Sequence, residues 1–162
     1  MAELMYWEAI RRAHDEEMAN DPMVICMGED IGGAGGTYKA TQGLYDKYGP
    51  ERVMDTPISE NGYTGLGIGA SFLGVRPIIE LMSVNFAWLA LDQLFNSAAK
   101  VRYMSGGQLT APVVVRSPTW ISSRDGDTPM LGGGAFAACA SIGMPVRKRS
   151  KIRGASFMFR VL

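Results

Sequence analysis

Short apolar runs of strand length alternate with helix-length segments along most of this chain of 162 residues. The first run, MVICM, is apolar throughout, which is typical of a strand buried on both faces of a parallel sheet. Strands that alternate with helices over short loops predict an α/β fold, with a mainly parallel sheet and helices on both faces. The predicted strands cover 23–27, 52–56, 75–82 and 111–116.

The N-terminal segment has the spacing of a surface helix with one buried face. Charged residues lie between its apolar positions, and this pattern places His14, the only histidine of the chain, on the polar face. We therefore do not expect His14 to be catalytic. The apolar positions of the predicted buried face are Met5, Ala9, Ile10, Ala13 and Met18.

Three further helices are predicted. A short one covers 40–48, and one that is rich in small residues covers 63–74, where glycines allow another backbone to approach closely. The helix predicted for 85–104 is apolar on most sides. We expect this helix to be buried between layers or in a subunit interface.

The composition excludes several classes of protein. Apolar residues make up 47% and charged residues 20%, which allows a buried core and excludes global disorder. Lys plus Arg and Asp plus Glu number 16 each, so neither nucleic acid nor an anionic membrane is expected as a partner. Cys26 and Cys139 have no metal-binding or redox spacing and suit a reducing compartment. We expect a cytoplasmic protein, or an organellar one whose transit peptide has been removed.

The neutral total conceals a change of sign at Arg116. Residues 1–116 hold 9 Lys/Arg and 14 Asp/Glu, a net charge of −5, whereas residues 117–162 hold 7 and 2, a net charge of +5. The second segment has no sustained period, and its basic run at 147–153 is typical of a solvated segment. We expect a domain over 1–116 and a divergent basic tail over 117–162 that is not a domain.

A glycine-rich loop lies at 32–36. Neither the dinucleotide fingerprint nor the P-loop pattern fits it, so a turn with positive φ angles is favoured over a phosphate cradle. In DTPISENG, the spacing of Glu60 favours a first-turn acid over a poised acid or base. For Met82, Phe86 and Trp88, spacing alone favours core packing over a cofactor pocket.

Several independent strings occur together between about residue 3 and Arg116. They are GED before the glycine-rich loop and its YK, DTPISE, GVRPIIE, the NF and DQ of the following helix, and NSAAKVRYMSGGQ. With these strings the chain resembles the beta subunits of thiamine diphosphate-dependent 2-oxo acid dehydrogenases, the pyruvate-oxidising members above all. The resemblance implies a transketolase-like pyrimidine-binding domain that is incomplete at its C-terminus.

The resemblance implies roles for three residues. Glu60 of DTPISE would be catalytic and bind the aminopyrimidine nitrogen of thiamine diphosphate, because a carboxyl group that shares a proton there makes the exocyclic nitrogen a base. That role requires a partly desolvated site and a raised pKa. Phe86 of SVNF would stack on the pyrimidine ring, and Met82 would line the same pocket.

The resemblance also implies what other chains provide. The family's alpha subunit holds Mg²⁺ and the diphosphate through a Gly-Asp-Gly motif. Here Asp125, Gly126 and Asp127 have the inverted order, so we expect no metal site in this chain. The expected partners are the alpha subunit, in an alpha2beta2 heterotetramer that buries the helix at 85–103, and a lipoyl-bearing acyltransferase.

After Arg116 the chain departs from the family, whose members continue with a Gly-Pro segment, a His-Ser pair and a second domain. We expect a truncated or out-of-frame C-terminus. Three functions remain open: a beta subunit for the oxidative decarboxylation of pyruvate with acetyl transfer to a lipoyl carrier, the same for a branched-chain 2-oxo acid or acetoin, and a degenerate subunit that only binds the alpha chain. A nucleotide-binding domain unrelated to thiamine is disfavoured, since its fingerprints are missing.

Overall fold

The computed structural model of the chain describes residues 5–119, 134–140 and 158–161, where six strands form one sheet in the order β2-β1-β3-β4-β5-β6. Neighbouring strands pair in parallel from β2 to β4, β5 pairs antiparallel to β4, and β6 pairs parallel to β5. The mainly parallel sheet predicted from the alternating pattern is confirmed. The strands are β1 (Val24–Gly28), β2 (Val53–Asp55), β3 (Arg76–Glu80), β4 (Val113–Thr119), β5 (Gly134–Ala140) and β6 (Met158–Val161).

The helical segments differ from the predicted ones mainly at their ends. Gly43 has a left-handed φ of 79°, so the helix expected at 40–48 begins only at Leu44. A π-helical stretch, Gln93–Ala98, joins two α-helices into the long apolar helix expected at 85–104. The α-helices are α1 (Tyr6–Asn20), α2 (Leu44–Tyr48), α3 (Glu60–Ser71), α4 (Ala87–Asp92) and α5 (Ala99–Met104).

Helices cover both faces of the sheet, as the alternating pattern predicts. Because successive strand residues point to opposite faces, β1, β2 and β3 each contribute to two separate cores. The core under α1 and α2 contains Met18, Val24, Cys26, Ile31, Leu44 and Val53. The core under α3 and α4 contains Met27, Tyr63, Ile79, Leu81, Ala90 and Val115.

The buried face of α1 differs from the predicted one. His14 is only 7% exposed and lies one turn before the buried Met18, whereas Met5 and Ala13 are exposed. The His14 ring donates its Nδ1–H to the carbonyl oxygen of Ile10 at 2.8 Å, which satisfies this donor within the helix. Burial, assisted by the charge of Arg116, lowers the pKa of His14 to about 3. The predicted polar face was wrong at His14 because the neutral ring packs as an apolar group.

The strand register aligns four residues in one row across the sheet: Asp55, Gly28, Glu80 and Arg116. A Cβ at Gly28 would lie 2.6 Å from the carbonyl oxygen of Glu80, so glycine lets β1 and β3 approach at this point. Since these four strands are parallel, their carboxyl ends meet at one edge of the sheet. We call this the carboxyl edge.

The inverted motif at Asp125–Asp127 and the basic run at 147–153 lie outside the described residues. The boundary at Arg116 and the assignment of 117–162 as a tail stay predictions; β4 continues to Thr119, and the β5 and β6 backbones pair next to it. In the described parts of the chain, no helix is long and apolar enough to cross a membrane.

Candidate functional site

Buried carboxyl groups gather at the carboxyl edge. Glu29 directly follows β1, Glu80 ends β3, and Glu60 begins α3 five residues after β2. Their exposed fractions are 6%, 2% and 4%, respectively. Because a buried carboxylate is costly unless it is paired or used, this cluster marks the edge as a candidate binding or catalytic site.

Glu60 is placed by the packing of α3. The helix buries a face on which Glu60, Tyr63, Thr64 and Gly67 recur at intervals of three and four residues. The first turn therefore directs Glu60 towards the sheet, next to a helix N-terminus that favours negative charge. The first-turn position expected from the spacing of Glu60 is confirmed, and burial adds the desolvated setting that acid or base chemistry requires.

Four buried side-chain oxygens, on the residues that follow β1 and β2 and on α3, have no hydrogen-bond partner within the described part of the chain. They belong to Glu29 (Oε1), Thr56 (Oγ1), Tyr63 (Oη) and Thr64 (Oγ1). Buried polar atoms in folded proteins are nearly always hydrogen-bonded to protein, water or ligand. The unsatisfied oxygens thus indicate a place that accepts a polar ligand.

Glu29 and Tyr63 influence each other's ionisation. Burial raises the pKa of Glu29, the negative charge of Glu60 raises it further, and the Tyr63 hydroxyl acts in the opposite direction. Burial and the charges of Glu29 and Glu60 raise the pKa of Tyr63 well above its ordinary value. Tyr63 therefore remains a protonated donor beside Glu29, although neither Tyr63 Oη nor Glu29 Oε1 makes a well-formed hydrogen bond.

Glu80 also lies at the carboxyl edge, but its side chain is on the face of the sheet opposite to α3. It forms a buried ion pair with Arg116, and its other oxygen, Oε1, accepts the backbone N–H of Thr37 at 3.0 Å. Burial raises the pKa of Glu80, while Arg116 and the Thr37 N–H act against the rise. At the end of β2, Asp55 Oδ1 accepts the N–H of Gly32 at 2.7 Å. Two carboxylates of the strand ends thus hold the glycine-rich loop.

The loop itself is a turn, as predicted. Gly35 and Gly36 have φ angles of 79° and 70°, in the region that favours glycine. Its amides are used within the protein, since Gly35 N–H donates to the carbonyl oxygen of Gly32 at 3.1 Å and Gly36 N–H to that of Asp30 at 2.8 Å. These two amides are therefore not available to a phosphate group.

The structure places the three predicted site residues at the carboxyl edge. Glu60 is buried there, whereas Met82, two residues beyond β3, and Phe86, at the end of the turn Val84–Phe86, are half-buried. The Met82 carbonyl oxygen accepts the Thr37 hydroxyl at 3.3 Å. Trp88 is 76% exposed, so the expectation of core packing was wrong for this residue. That these residues bind a cofactor stays a prediction.

The sequence interpretation missed Glu29, Tyr63 and Glu80 as parts of the site. The sequence contains a signal for both glutamates. Glu29 follows the run MVICM and Glu80 follows the apolar residues of the strand predicted for 75–82, and parallel strands end at a common edge of a sheet. Tyr63 lies three residues after Glu60 on the same helix face. Among the described residues, no group of three or more His, Cys, Asp or Glu side chains is arranged to hold a metal ion.

A parallel α/β sheet with buried carboxyl groups and a half-buried aromatic at its carboxyl edge is typical of a cofactor-binding domain. The sequence profile of the transketolase pyrimidine-binding domain matches residues 2–127 of the chain. The chain belongs to this family.

Individual relatives carry a more specific name. The pyruvate dehydrogenase E1 component subunit beta-1, mitochondrial, of Oryza sativa subsp. japonica is 53% identical over 116 residues, which cover 72% of this chain and 31% of the relative. The corresponding beta subunit of Rickettsia bellii (strain RML369-C) is 53% identical over 117 residues, covering 72% and 36%. The chloroplastic beta-3 subunit of Arabidopsis thaliana is 53% identical over 116 residues, covering 72% and 29%.

These matches confirm the resemblance drawn from the sequence strings. The chain spans about a third of the length of these relatives, which are covered to between 29% and 36%. Their names include mitochondrial and chloroplastic forms.

Proposed function

We propose that this chain forms the pyrimidine-binding part of a pyruvate dehydrogenase beta subunit, which takes part in the oxidative decarboxylation of pyruvate and the transfer of the acetyl group to a lipoyl carrier. The observation that carries the proposal is Glu60. This residue is 4% exposed in the first turn of α3, and it lies in a segment that is 53% identical to subunits of that name.

The residues at the carboxyl edge fit thiamine diphosphate. The unsatisfied oxygens of Glu29, Thr56, Tyr63 and Thr64 suit a heterocycle that both donates and accepts hydrogen bonds. Glu60 would hold the aminopyrimidine nitrogen, Phe86 would stack on the ring, and Met82 would line the pocket. When bound, thiamine diphosphate supplies the electron sink that cleavage next to a carbonyl carbon requires.

The remaining steps use side chains of this chain. Glu60 is buried, so water competes little for a hydrogen bond that its carboxyl group would make to a bound ligand. Burial and, after it, the charge of Glu60 raise the pKa of Glu29, which favours the protonated form of Glu29. Tyr63, which stays protonated, offers a donor beside Glu29.

The proposal includes an alpha subunit that holds Mg²⁺ and the diphosphate, in an alpha2beta2 heterotetramer, and a lipoyl-bearing acyltransferase as acceptor. The helical stretch 87–104 supports an assembly of subunits, because it exposes large apolar side chains. Exposed apolar patches of this kind are typical of surfaces that bind another protein. We assign the assembly to the cytoplasm, or to an organelle after removal of a transit peptide. The exposed side chains are Trp88, Leu89, Phe95, Tyr103 and Met104.

The test combines the chain with a pyruvate dehydrogenase alpha subunit. Complex formation is followed by light scattering, thiamine diphosphate binding by calorimetry, and carbon dioxide release with pyruvate, a branched-chain 2-oxo acid and acetoin as substrates. We expect a complex that decarboxylates pyruvate, a loss of turnover in Glu60→Gln, and normal turnover in Glu17→Gln, whose side chain is exposed on α1.

Other outcomes assign the chain differently. A complex without cofactor binding or turnover favours a subunit that only binds the alpha chain. Preference for the branched-chain acid or acetoin assigns the chain to those enzymes. Absence of a complex, or full turnover in Glu60→Gln, contradicts the proposal.

A further inference from the structure

The glycine-rich loop is tied to the segment that follows β3. Thr37 makes both connections: its backbone N–H donates to Glu80 Oε1 at 3.0 Å, and its hydroxyl donates to the carbonyl oxygen of Met82 at 3.3 Å. Glu80 and Met82 are two residues apart on one extended stretch. Thr37, the residue directly after the loop, therefore contacts both ends of this stretch.

The Glu80 carboxylate packs closely against the backbone of the glycine-rich loop. A Cβ at Gly36 would lie 3.1 Å from Glu80 Oε2 and 2.6 Å from Thr41 Oγ1, so the loop backbone fits against the carboxylate only with glycine at this position. The Arg116 side chain holds the same carboxylate from β4. A buried ion pair contributes little stability by itself, because desolvation offsets the attraction. The pair instead orients the Glu80 oxygen that receives the Thr37 N–H.

The segment after β3 is held from two sides. On one side the N–H of Leu81 donates to the carbonyl oxygen of Arg116 at 2.9 Å, which continues the contact with β4. On the other side, the Thr37 hydroxyl donates to the carbonyl oxygen of Met82. Beyond Met82 the chain turns through Val84–Phe86, where Phe86 N–H donates to the carbonyl oxygen of Ser83 at 3.0 Å.

We propose that Thr37 and Glu80 are positioning residues, which clamp the glycine-rich loop against the segment after β3 and so hold Met82 and Phe86 in place for the pyrimidine ring. The inference rests on the proposed function and deepens it. Neither residue touches the ring: Thr37 acts through the Met82 backbone, and Glu80 acts through Thr37. A site whose walls are held in advance binds more tightly, because less conformational freedom is lost on binding.

The alternative role for the loop is direct anion binding. The amides of Gly32, Gly35 and Gly36 in the loop, and that of Thr37 directly after it, already donate to protein oxygens. Two of the acceptors are the carboxylates of Asp55 and Glu80, which would repel a phosphate. The loop therefore supports the pocket wall rather than binding the diphosphate.

The experiment compares Thr37→Val, which removes the hydroxyl at nearly constant shape, with Thr37→Ser, which keeps it. Thr37 is half-buried, so neither change is expected to unfold the chain. The control is Thr110→Val, because Thr110 is also half-buried but precedes β4 at the opposite edge of the sheet. Thiamine diphosphate affinity is measured by calorimetry in the complex with the alpha subunit, and amide hydrogen exchange of 81–87 is measured in the chain without cofactor.

We expect Thr37→Val to weaken cofactor binding about tenfold, the equivalent of one hydrogen bond, and to speed exchange of 81–87. Thr37→Ser and Thr110→Val should match the wild type in both measurements. In Glu80→Gln, we expect faster exchange at the Thr37 amide and weaker cofactor binding, with thermal unfolding as a check of the fold.

The outcomes separate the two proposals. Equal affinity and exchange in Thr37→Val and Thr37→Ser, with normal wild-type binding, overturn the positioning role alone. Equal effects of Thr37→Val and Thr110→Val also overturn it, because the loss of cofactor affinity would then not depend on the contacts of Thr37. A wild-type complex that binds no thiamine diphosphate overturns the proposed function, and the positioning role with it.

Discussion

Gly67 in α3 faces Ile79 in β3 so closely that a Cβ at residue 67 would lie 2.8 Å from Ile79 Cδ1 and 3.0 Å from Met27 Sδ. The glycine thus determines how near α3 lies to the sheet. Glu60 stands two turns earlier on the same helix face and is buried with it.

Replacing Gly67 by valine should destabilise the protein by about 1–3 kcal/mol, the usual cost of overpacking a core. Gly69→Val is the matched control, because the same substitution in the same helix meets nothing within 4 Å. Urea unfolding of both variants measures the difference. Equal free energies of unfolding would show that α3 does not require glycine at residue 67.

Phe86 should contribute to cofactor binding through its ring. We expect Phe86→Leu, which keeps an apolar side chain without an aromatic face, to weaken thiamine diphosphate binding about threefold to tenfold, whereas Phe86→Tyr keeps the affinity. Calorimetric titration of the assembled enzyme provides the measurement. Wild-type affinity in Phe86→Leu would argue against stacking at this residue.

Glu29 should make the protein less stable as the pH rises. Its folded-state pKa is raised, mainly by burial and then by Glu60, so the folded protein holds this proton more tightly than the unfolded chain does. Stability is therefore lost as the pH rises from about 4.5, the ordinary value. We expect Glu29→Gln to be more stable than the wild type at pH 7 and equally stable below pH 4.

Urea unfolding across this pH range measures the effect of Glu29→Gln. The exposed Glu17→Gln supplies the control and should follow the wild type throughout. A Glu29→Gln variant that is less stable than the wild type at pH 7 would contradict the predicted penalty.

His14 should produce the opposite dependence. Its folded pKa is lowered from 6.5 to about 3, so the neutral form is favoured in the folded protein. Its contribution is fully present above pH 6.5 and is lost as the pH falls towards 3, by at most about 1.4 kcal/mol for each pH unit. The difference in unfolding free energy between wild type and His14→Gln should change with this slope between pH 6 and 4. A constant difference would mean that His14 titrates normally.

Cys26 should be inert in the folded protein. Its thiol is buried, and burial raises its pKa to about 12. In a Cys139→Ser background, which leaves one thiol, we expect a thiol reagent at pH 8 to label Cys26 only as fast as the protein opens. Addition of urea should bring the labelling rate to that of a free cysteine. Rapid labelling without urea would show that the core around β1 is open.

Local sequence patterns were sufficient to predict those features that depend on residues close together in the chain. The alternation of apolar runs and helical spacing predicts a mainly parallel α/β sheet, because the period of side-chain burial differs between strand and helix. The clustered glycines predict the positive φ angles at Gly35 and Gly36, because only glycine adopts them without strain. The strings around Glu60, Met82 and Phe86 were sufficient to indicate the family.

Tertiary structure decided the features that depend on residues far apart in the chain. His14 is buried and Trp88 exposed because neighbouring elements, and not the helix pattern, determine which face is covered. The charge of Glu60 helps to raise the pKa of Glu29 across 31 positions, and Glu80 pairs with Arg116 because the register of β3 and β4 aligns them. The sequence by itself therefore determined the class of fold and the candidate residue Glu60. Only the packed sheet decided which buried charges share its edge, because Coulomb and hydrogen-bond interactions depend on distance in space.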